Sequence, residues 1–229
     1  MPRNHRKALL FWSRVALAVA AMGLGYYVYA RYFMGNFGVV RPGQVYRSAQ
    51  PAPWQLDRWT RQHGLRTVVN LRGPSSKRTD YVEESNLTRR LGVTLIDHEM
   101  ASGRLPSAGE LRGLIRVLET AERPMLIHCR DGADRTGLAS TLVQLMHEVP
   151  YEQAKNEFTV VHWHFDRGSA HGEDARIQHV LSLYEDYCRT HDEPIAGWQH
   201  FRWWAMNIYT SEHDTPEDRQ VQVTRTAAP

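Results

Sequence analysis

The chain opens on one continuous apolar run and then settles into an alternation of short apolar stretches and longer amphipathic ones. Ala8 to Ala30 is apolar apart from Ser13, Arg14 and small glycines, and Arg3, Arg6 and Lys7 precede it. About twenty residues cross a bilayer, so Val15 to Phe33 with some tilt, or Ala8 to Ala30 with Arg14 snorkelling, suffices for a transmembrane helix. Tyr26, Tyr27, Tyr29 and Tyr32 supply an interfacial aromatic belt. The basic flank before the run favours a cytoplasmic N-terminus in a single-pass chain, with the rest on the non-cytoplasmic (periplasmic) side. A cleaved signal peptide is the alternative, since Val28-Tyr29-Ala30 ends on a small residue; the bulky tyrosines and the long apolar core favour an uncleaved anchor. A buried N-terminal helix of a soluble protein is the third option.

Beyond a glycine-bearing linker at 35–43, the pattern predicts a strand near Val45, a helix over Pro53–His63 and a strand over Thr67–Leu71. It continues with a helix Asp80–Leu91, a strand Val93–Ile96, a helix Ser107–Thr120, a strand Met125–Ile127 and a helix Leu138–Met146. Helices follow at Tyr151–Phe158 and Asp174–Cys188, separated by a turn at Gly168–Gly172. In Pro194–Tyr209, the spacing of Trp198, Phe201, Ala205 and Ile208 makes one apolar face, expected to pack on the core; Trp203 and Trp204 extend beyond it and could touch lipid headgroups. Alternating strands and helices predict an α/β fold with a mainly parallel central sheet flanked by helices. The expected organisation is 1–34 basic end plus anchor, 35–43 linker, 44–210 folded domain, and 211–229 a polar, disordered tail.

At 229 residues and 42% hydrophobic content the chain is long enough for one domain with a substantial core. A formal net charge of +3, with no basic run interleaved with aromatics, gives no ground for nucleic-acid binding. The two cysteines, Cys129 and Cys188, are expected as free thiols.

The densest chemistry lies in His128-Cys129-Arg130-Asp131-Gly132-Ala133-Asp134-Arg135-Thr136-Gly137, between a predicted buried strand and a predicted helix. A loop feeding a helix N-terminus presents unpaired N–H groups and the positive end of the helix dipole, and so holds an oxyanion. Gly132 lets the backbone curl, and Arg135, six residues after Cys129, adds a planar, charged fork of donors. Such a field lowers a thiol pKa from roughly 8.5 into the range of about 3.5–7.5. Thr136 is placed to give its hydroxyl to the resulting thiolate, and His128 to order the loop. An inert buried cysteine is the plain alternative.

The Cys-x5-Arg-Thr pattern, preceded by His and containing Gly132, resembles the signature of the cysteine-dependent protein tyrosine and dual-specificity phosphatase superfamily. The resemblance runs from about Gln44 to Tyr209, and the segments Val45–Pro51 and Val68–Gly73 look like those of its compact bacterial and fungal branch. It implies a dual-specificity phosphatase-like fold, phosphomonoester hydrolysis through a phosphocysteine, and a phosphate loop of Arg130, Asp131, Gly132, Ala133, Asp134 and Arg135. It also implies an aspartate acid upstream; Asp97, at the end of the Val93–Ile96 run and 32 residues before Cys129, matches, on a loop reaching Pro106. His98 or Glu99 beside it are alternatives, and Asp97 could simply cap a turn. The Cys-x-Asp-Gly-x-Asp-Arg-Thr arrangement is similar to that of the myotubularin lipid phosphatases. That likeness makes Asp131 a second candidate acid and Asp134 a contact for a substrate hydroxyl, although both could merely pair with cations or cap backbone; Arg130, Arg72 and Arg47 are the nearest matching charges.

This reading calls for no cofactor or metal; His162 and His164 lack a further ligand at metal spacing and are expected to pack or face solvent. The expected partners are a phosphorylated protein or a phospholipid or inositol phosphate as substrate, and the membrane through the N-terminal helix. A catalytically silent phosphate-binding module and a rhodanese-like sulfurtransferase are the competing readings.

Overall fold

The structure, a computed structural model, describes residues 3–29, 34–101, 103–158, 177 and 179–218. Helix α1 (Arg3–Val28) is 26 residues long, or about 39 Å. It is long and apolar enough to cross a membrane, and no part of Leu10–Tyr27 is buried against the rest of the chain.

The remaining elements form a five-stranded sheet of order β1-β2-β5-β3-β4. The strands are β1 (Gly38–Arg41), β2 (Val45–Ser48), β3 (Thr67–Asn70), β4 (Thr94–Asp97) and β5 (Met125–His128). Only β1 runs antiparallel, against β2; β2, β5, β3 and β4 are parallel neighbours. Each inner strand is a short run buried on both faces, with successive side chains going to opposite sides. Val45, Val69, Met125 and Ile127 face one core layer, built mainly with α4 (Ala108–Thr120), α5 (Asp134–Met146), α7 (His179–Thr190) and α8 (Trp198–Asn207). Tyr46, Val68 and Leu126 face the other, against α2 (Pro53–His63) and α3 (Thr79–Leu91). The α/β expectation, a mainly parallel sheet between helices, is met. α6 (Tyr151–Ala154) and the 3₁₀ turn Lys155–Glu157 pack behind α5.

Two expected boundaries are corrected. The linker drawn at 35–43 is part of the folded domain: Gly35 and Asn36 are buried and Gly38–Arg41 is the edge strand β1. Four residues, one of them the exposed Val39, are too short a run to announce a strand. Nor does order stop at 210. Asp214 is buried and its Oδ1 accepts the Ala108 N–H at 2.7 Å, satisfying an orphan donor at the start of α4, while the Tyr209 hydroxyl donates to the Pro106 carbonyl at 2.7 Å. Trp198, Phe201 and Trp204 are in the core, and Trp203 alone of that aromatic set is exposed. The expected Gly168–Gly172 turn, residues 174–176 and 178 of the helix expected from Asp174, His162 and His164, residues 30–33 of the anchor with Tyr32 of its belt, and residues 219–229 of the tail lie outside the described residues.

Candidate active site

Parallel strands bring their carboxyl ends together, and here those ends gather the chemistry at one edge of the sheet. Ser48 of β2 and Asn70 of β3 both stand opposite His128, the last residue of β5, and Asn70 also stands opposite Asp97, the last of β4. The Cys129 loop leaves this row and enters α5 at Asp134, four residues earlier than the apolar pattern predicted, so Arg135 and Thr136 lie in the first helical turn.

Three consecutive carbonyls of the loop are held from outside. Gln50 N–H donates to Arg130 O at 3.2 Å, Asn36 Nδ2 to Asp131 O at 2.9 Å, and Arg47 Nη2 to Gly132 O at 2.8 Å. With its carbonyls fastened outward the loop turns amide N–H groups inward, the arrangement of an anion nest. The Gly132 N–H already lies 3.2 Å from Cys129 Sγ, which accepts it. Gly132 has φ +70°, and a Cβ there would sit 2.7 Å from the Ser48 and Ala49 backbone, so conformation and space both demand glycine. Cys129 is 3% exposed, and both it and Cys188 are free thiols.

Arg47 is wholly buried; besides Gly132 O, it reaches the Glu157 carboxylate at 2.6 Å and the Glu157 carbonyl at 2.9 Å. Burial pushes its guanidinium below the ordinary range, against the opposing pull of Glu157. It is therefore a strut beneath the loop, while Arg72, bonded to Asp80 and Gln50, is the cation nearer the rim. Arg135 Nη1 donates to Met100 O at 3.0 Å and to Leu71 O at 3.3 Å, and its Nε is buried with no acceptor among the described residues. Thr136 Oγ1 is buried but is not bonded to Cys129 Sγ; the contact to the sulfur comes from Gly132 instead.

His128 is fully buried, with Nε2 2.8 Å from Glu84 Oε1 of α3 and Nδ1 3.4 Å from the Cys129 carbonyl. Asp131 accepts from Arg130 Nε at 2.8 Å on an exposed edge, and Asp134 starts α5 as its first-turn acid. Asp97 is held on both oxygens, by Asn70 Nδ2 at 2.8 Å and the Tyr81 hydroxyl at 2.6 Å. That hydrogen bond is the main reason the Tyr81 phenol is pushed up to about 12. Across β3 from His128, Asp97 is two strand spacings away, roughly 10 Å at the Cα. Of the two alternatives beside it, His98 bonds the Glu110 carbonyl and rests on Gly113, away from the strand ends, while Glu99 is exposed and rests on Gly73 just beyond β3.

Sequence reasoning missed Asn36, Glu84, Glu157, Asn70 and Tyr81. One signal was available: Glu84 falls on the same helical face as the apolar Leu87, where a carboxylate needs a buried partner.

Among solved structures, the core catalytic domain of the PP-IP phosphatase Siw14 from S. cerevisiae shares 20% identity with a TM-score of 0.51, covering 69% of this chain and 93% of its own. TpbA of P. aeruginosa shares 20% identity with a TM-score of 0.48, covering 75% of this chain and 91% of its own. No curated protein matches the chain in sequence. Residues 30–196, which span the sheet, the Cys129 loop and the strut Glu157, match the tyrosine phosphatase family, and the chain belongs to that family as a cysteine-dependent phosphatase.

Proposed function

We propose that the chain is a membrane-anchored phosphomonoesterase that works through a phosphocysteine at Cys129, on a phosphorylated protein or on a phospholipid or inositol phosphate. The observation that carries this reading is the loop whose three carbonyls are fastened outward while the Gly132 N–H points at Cys129 Sγ. A sulfur atom that accepts a backbone N–H inside an anion nest is set up to be a thiolate nucleophile.

In the first step Cys129 Sγ attacks phosphorus and the P–O ester bond breaks, while the loop amides of residues 130–135 and the Arg135 guanidinium hold the non-bridging oxygens. The buried Nε of Arg135 is the donor assigned to the phosphoryl group. The leaving oxygen takes a proton from Asp97. In the second step water attacks phosphorus, its proton goes back to that carboxylate, the S–P bond breaks and phosphate departs. To deliver its proton Asp97 must loosen one of its two partners, Asn70 or Tyr81. Asp131 is the second candidate for the acid, because its tie to Arg130 is an exposed pair worth little. His128, pinned by Glu84, orders the loop, and Asp134 is reserved for a substrate hydroxyl. Helix α1 supplies the anchor, with the domain on the non-cytoplasmic side.

The test is phosphate release from an aryl phosphate by the full chain, inhibited by vanadate and indifferent to chelators. Cys129→Ser abolishes turnover on this reading, and persistent turnover in that variant overturns the thiolate mechanism. Absence of turnover in the wild-type chain would leave only a phosphate-binding module. Of Asp97→Asn and Asp131→Asn, the one that removes the basic limb of the kcat pH profile identifies the acid.

A further inference from the structure

The sheet register places the anchor and the active site at the same end of the domain. β1 is antiparallel, so its first residue, Gly38, stands opposite Arg47 at the carboxyl end of β2, one residue from the Ser48–His128 pair. The chain arriving from α1 therefore enters beside the Cys129 loop. Gly35 O accepts the Ala49 N–H at 2.8 Å, and Asn36 holds Asp131 O. The span between is short. The Met34 N–H lies 3.1 Å from Tyr29 O at the end of the helical segment, and the two residues from Met34 to Asn36 reach at most about 7 Å. A membrane headgroup layer is itself roughly 5–8 Å deep, so this tether holds the loop close to the phosphate plane of any bilayer that α1 crosses.

The surface at that end is suited to such a plane. α2 and α3 both start at the carboxyl ends of their preceding strands, and their first turns expose Trp54 at 53% and Val82 at 39%. Met34, at 42%, is exposed immediately before Gly35. The exposed cations Arg130 and Lys77 lie on the loop and on the approach to α3; the acids at this end are Asp131, paired with Arg130, Asp80, paired with Arg72, Glu83, Asp134, Glu99, and Asp97, bonded to Asn70 and Tyr81. Exposed apolar and aromatic side chains interspersed with Arg and Lys are the composition of an interfacial surface.

We propose that this end of the domain rests on the bilayer entered by α1, with Met34, Trp54 and Val82 as its contacts, so that the Cys129 loop takes its phosphomonoester from a lipid headgroup in that membrane. The proposal rests on the phosphatase reading above and on α1 as an anchor. It is tested with the full chain reconstituted in phosphatidylcholine vesicles that carry a phosphatidylinositol monophosphate, alongside the free inositol phosphate headgroup, a soluble phosphotyrosine peptide and an aryl phosphate. The vesicle lipid is the preferred substrate by kcat/KM. Trp54→Asp and Val82→Asp each lower lipid turnover on the order of tenfold and leave aryl phosphate turnover unchanged. A phosphopeptide or free headgroup turned over as well as the lipid, or lipid turnover indifferent to both substitutions, overturns the docking surface while the phosphatase reading stands. Loss of aryl phosphate turnover in the wild-type chain overturns the phosphatase reading itself, and the docking proposal with it.

Discussion

Replacing Gly132 with alanine separates two costs that usually come together. The first is conformational: φ is +70°, a region that costs an L-residue roughly 1–2 kcal/mol. The second is steric. The new Cβ falls 2.7 Å from Ser48 C and O and from Ala49 N, all backbone at the end of β2, and is roughly 0.7 Å inside ordinary contact. Ser48 is anchored in register against His128, so the loop and not the sheet must give way. A displacement of about 1 Å at reacting groups costs around a hundredfold in rate, so a shift of this size predicts a loss of kcat/KM between about tenfold and a hundredfold. Gly92→Ala is the control, because its φ of +67° carries the same conformational cost with nothing within 4 Å of the added carbon. Both variants should lose comparable stability from conformation in urea titration, and Gly132→Ala alone should lose activity on an aryl phosphate. Activity within twofold of wild type in Gly132→Ala would refute the claim that the Cys129 loop is braced against the β2 backbone.

Arg47→Met leaves the Glu157 carboxylate and the Gly132 carbonyl without their buried cation, and should cost about 3–5 kcal/mol in denaturant unfolding; a cost below about 1 kcal/mol would show that the strut is dispensable. Glu84→Ala removes the carboxylate 2.8 Å from the fully buried His128 Nε2 and should cost about 2 kcal/mol in denaturant unfolding; unchanged stability would contradict a supporting role for Glu84. Burial pushes His98 below its ordinary range, against the opposing bond to the Glu110 carbonyl. The unfolded chain, with its histidine near 6.5, then takes up the proton first as pH falls, so this contribution to stability is whole above about pH 6.5 and declines below it. His98→Gln should flatten that part of the Tm-against-pH curve, and an unaltered slope would remove His98 as its source.

The inner strands β3 and β5 were legible because they are short, mainly apolar runs buried on both faces, and the Cys129 loop because glycine, cysteine and arginine at that spacing serve few purposes. What escaped was long-range or exposed. β1 has one side chain, Val39, facing solvent and no apolar alternation long enough to register. Asn36 serves the site through a partner 95 positions away, and Asp214 caps a helix 106 positions away; neither spacing carries a local signal. Arg47 was expected among the charges matching the loop acids, yet its guanidinium reaches inward from β2 to a loop carbonyl and to Glu157, 110 positions on. Thr136 was expected on the sulfur, but the early start of α5 puts it in the first helical turn, where its hydroxyl does not bond the thiol.

The strand order also dictates a schedule for folding. β5 sits between β2 and β3 in the sheet but is the last of the described strands to be made, with Met125 pairing Val45 eighty positions earlier and Thr67 fifty-eight positions earlier. Until it emerges, the β1–β2 hairpin and the β3–β4 pair have no common neighbour, and each presents an open edge. Contacts of such separation close slowly, so the nascent domain should pass through a prolonged stage in which two half-sheets stand apart. The strand that delivers Cys129 is also the one that joins them, so Cys129 takes its place only when the sheet becomes whole.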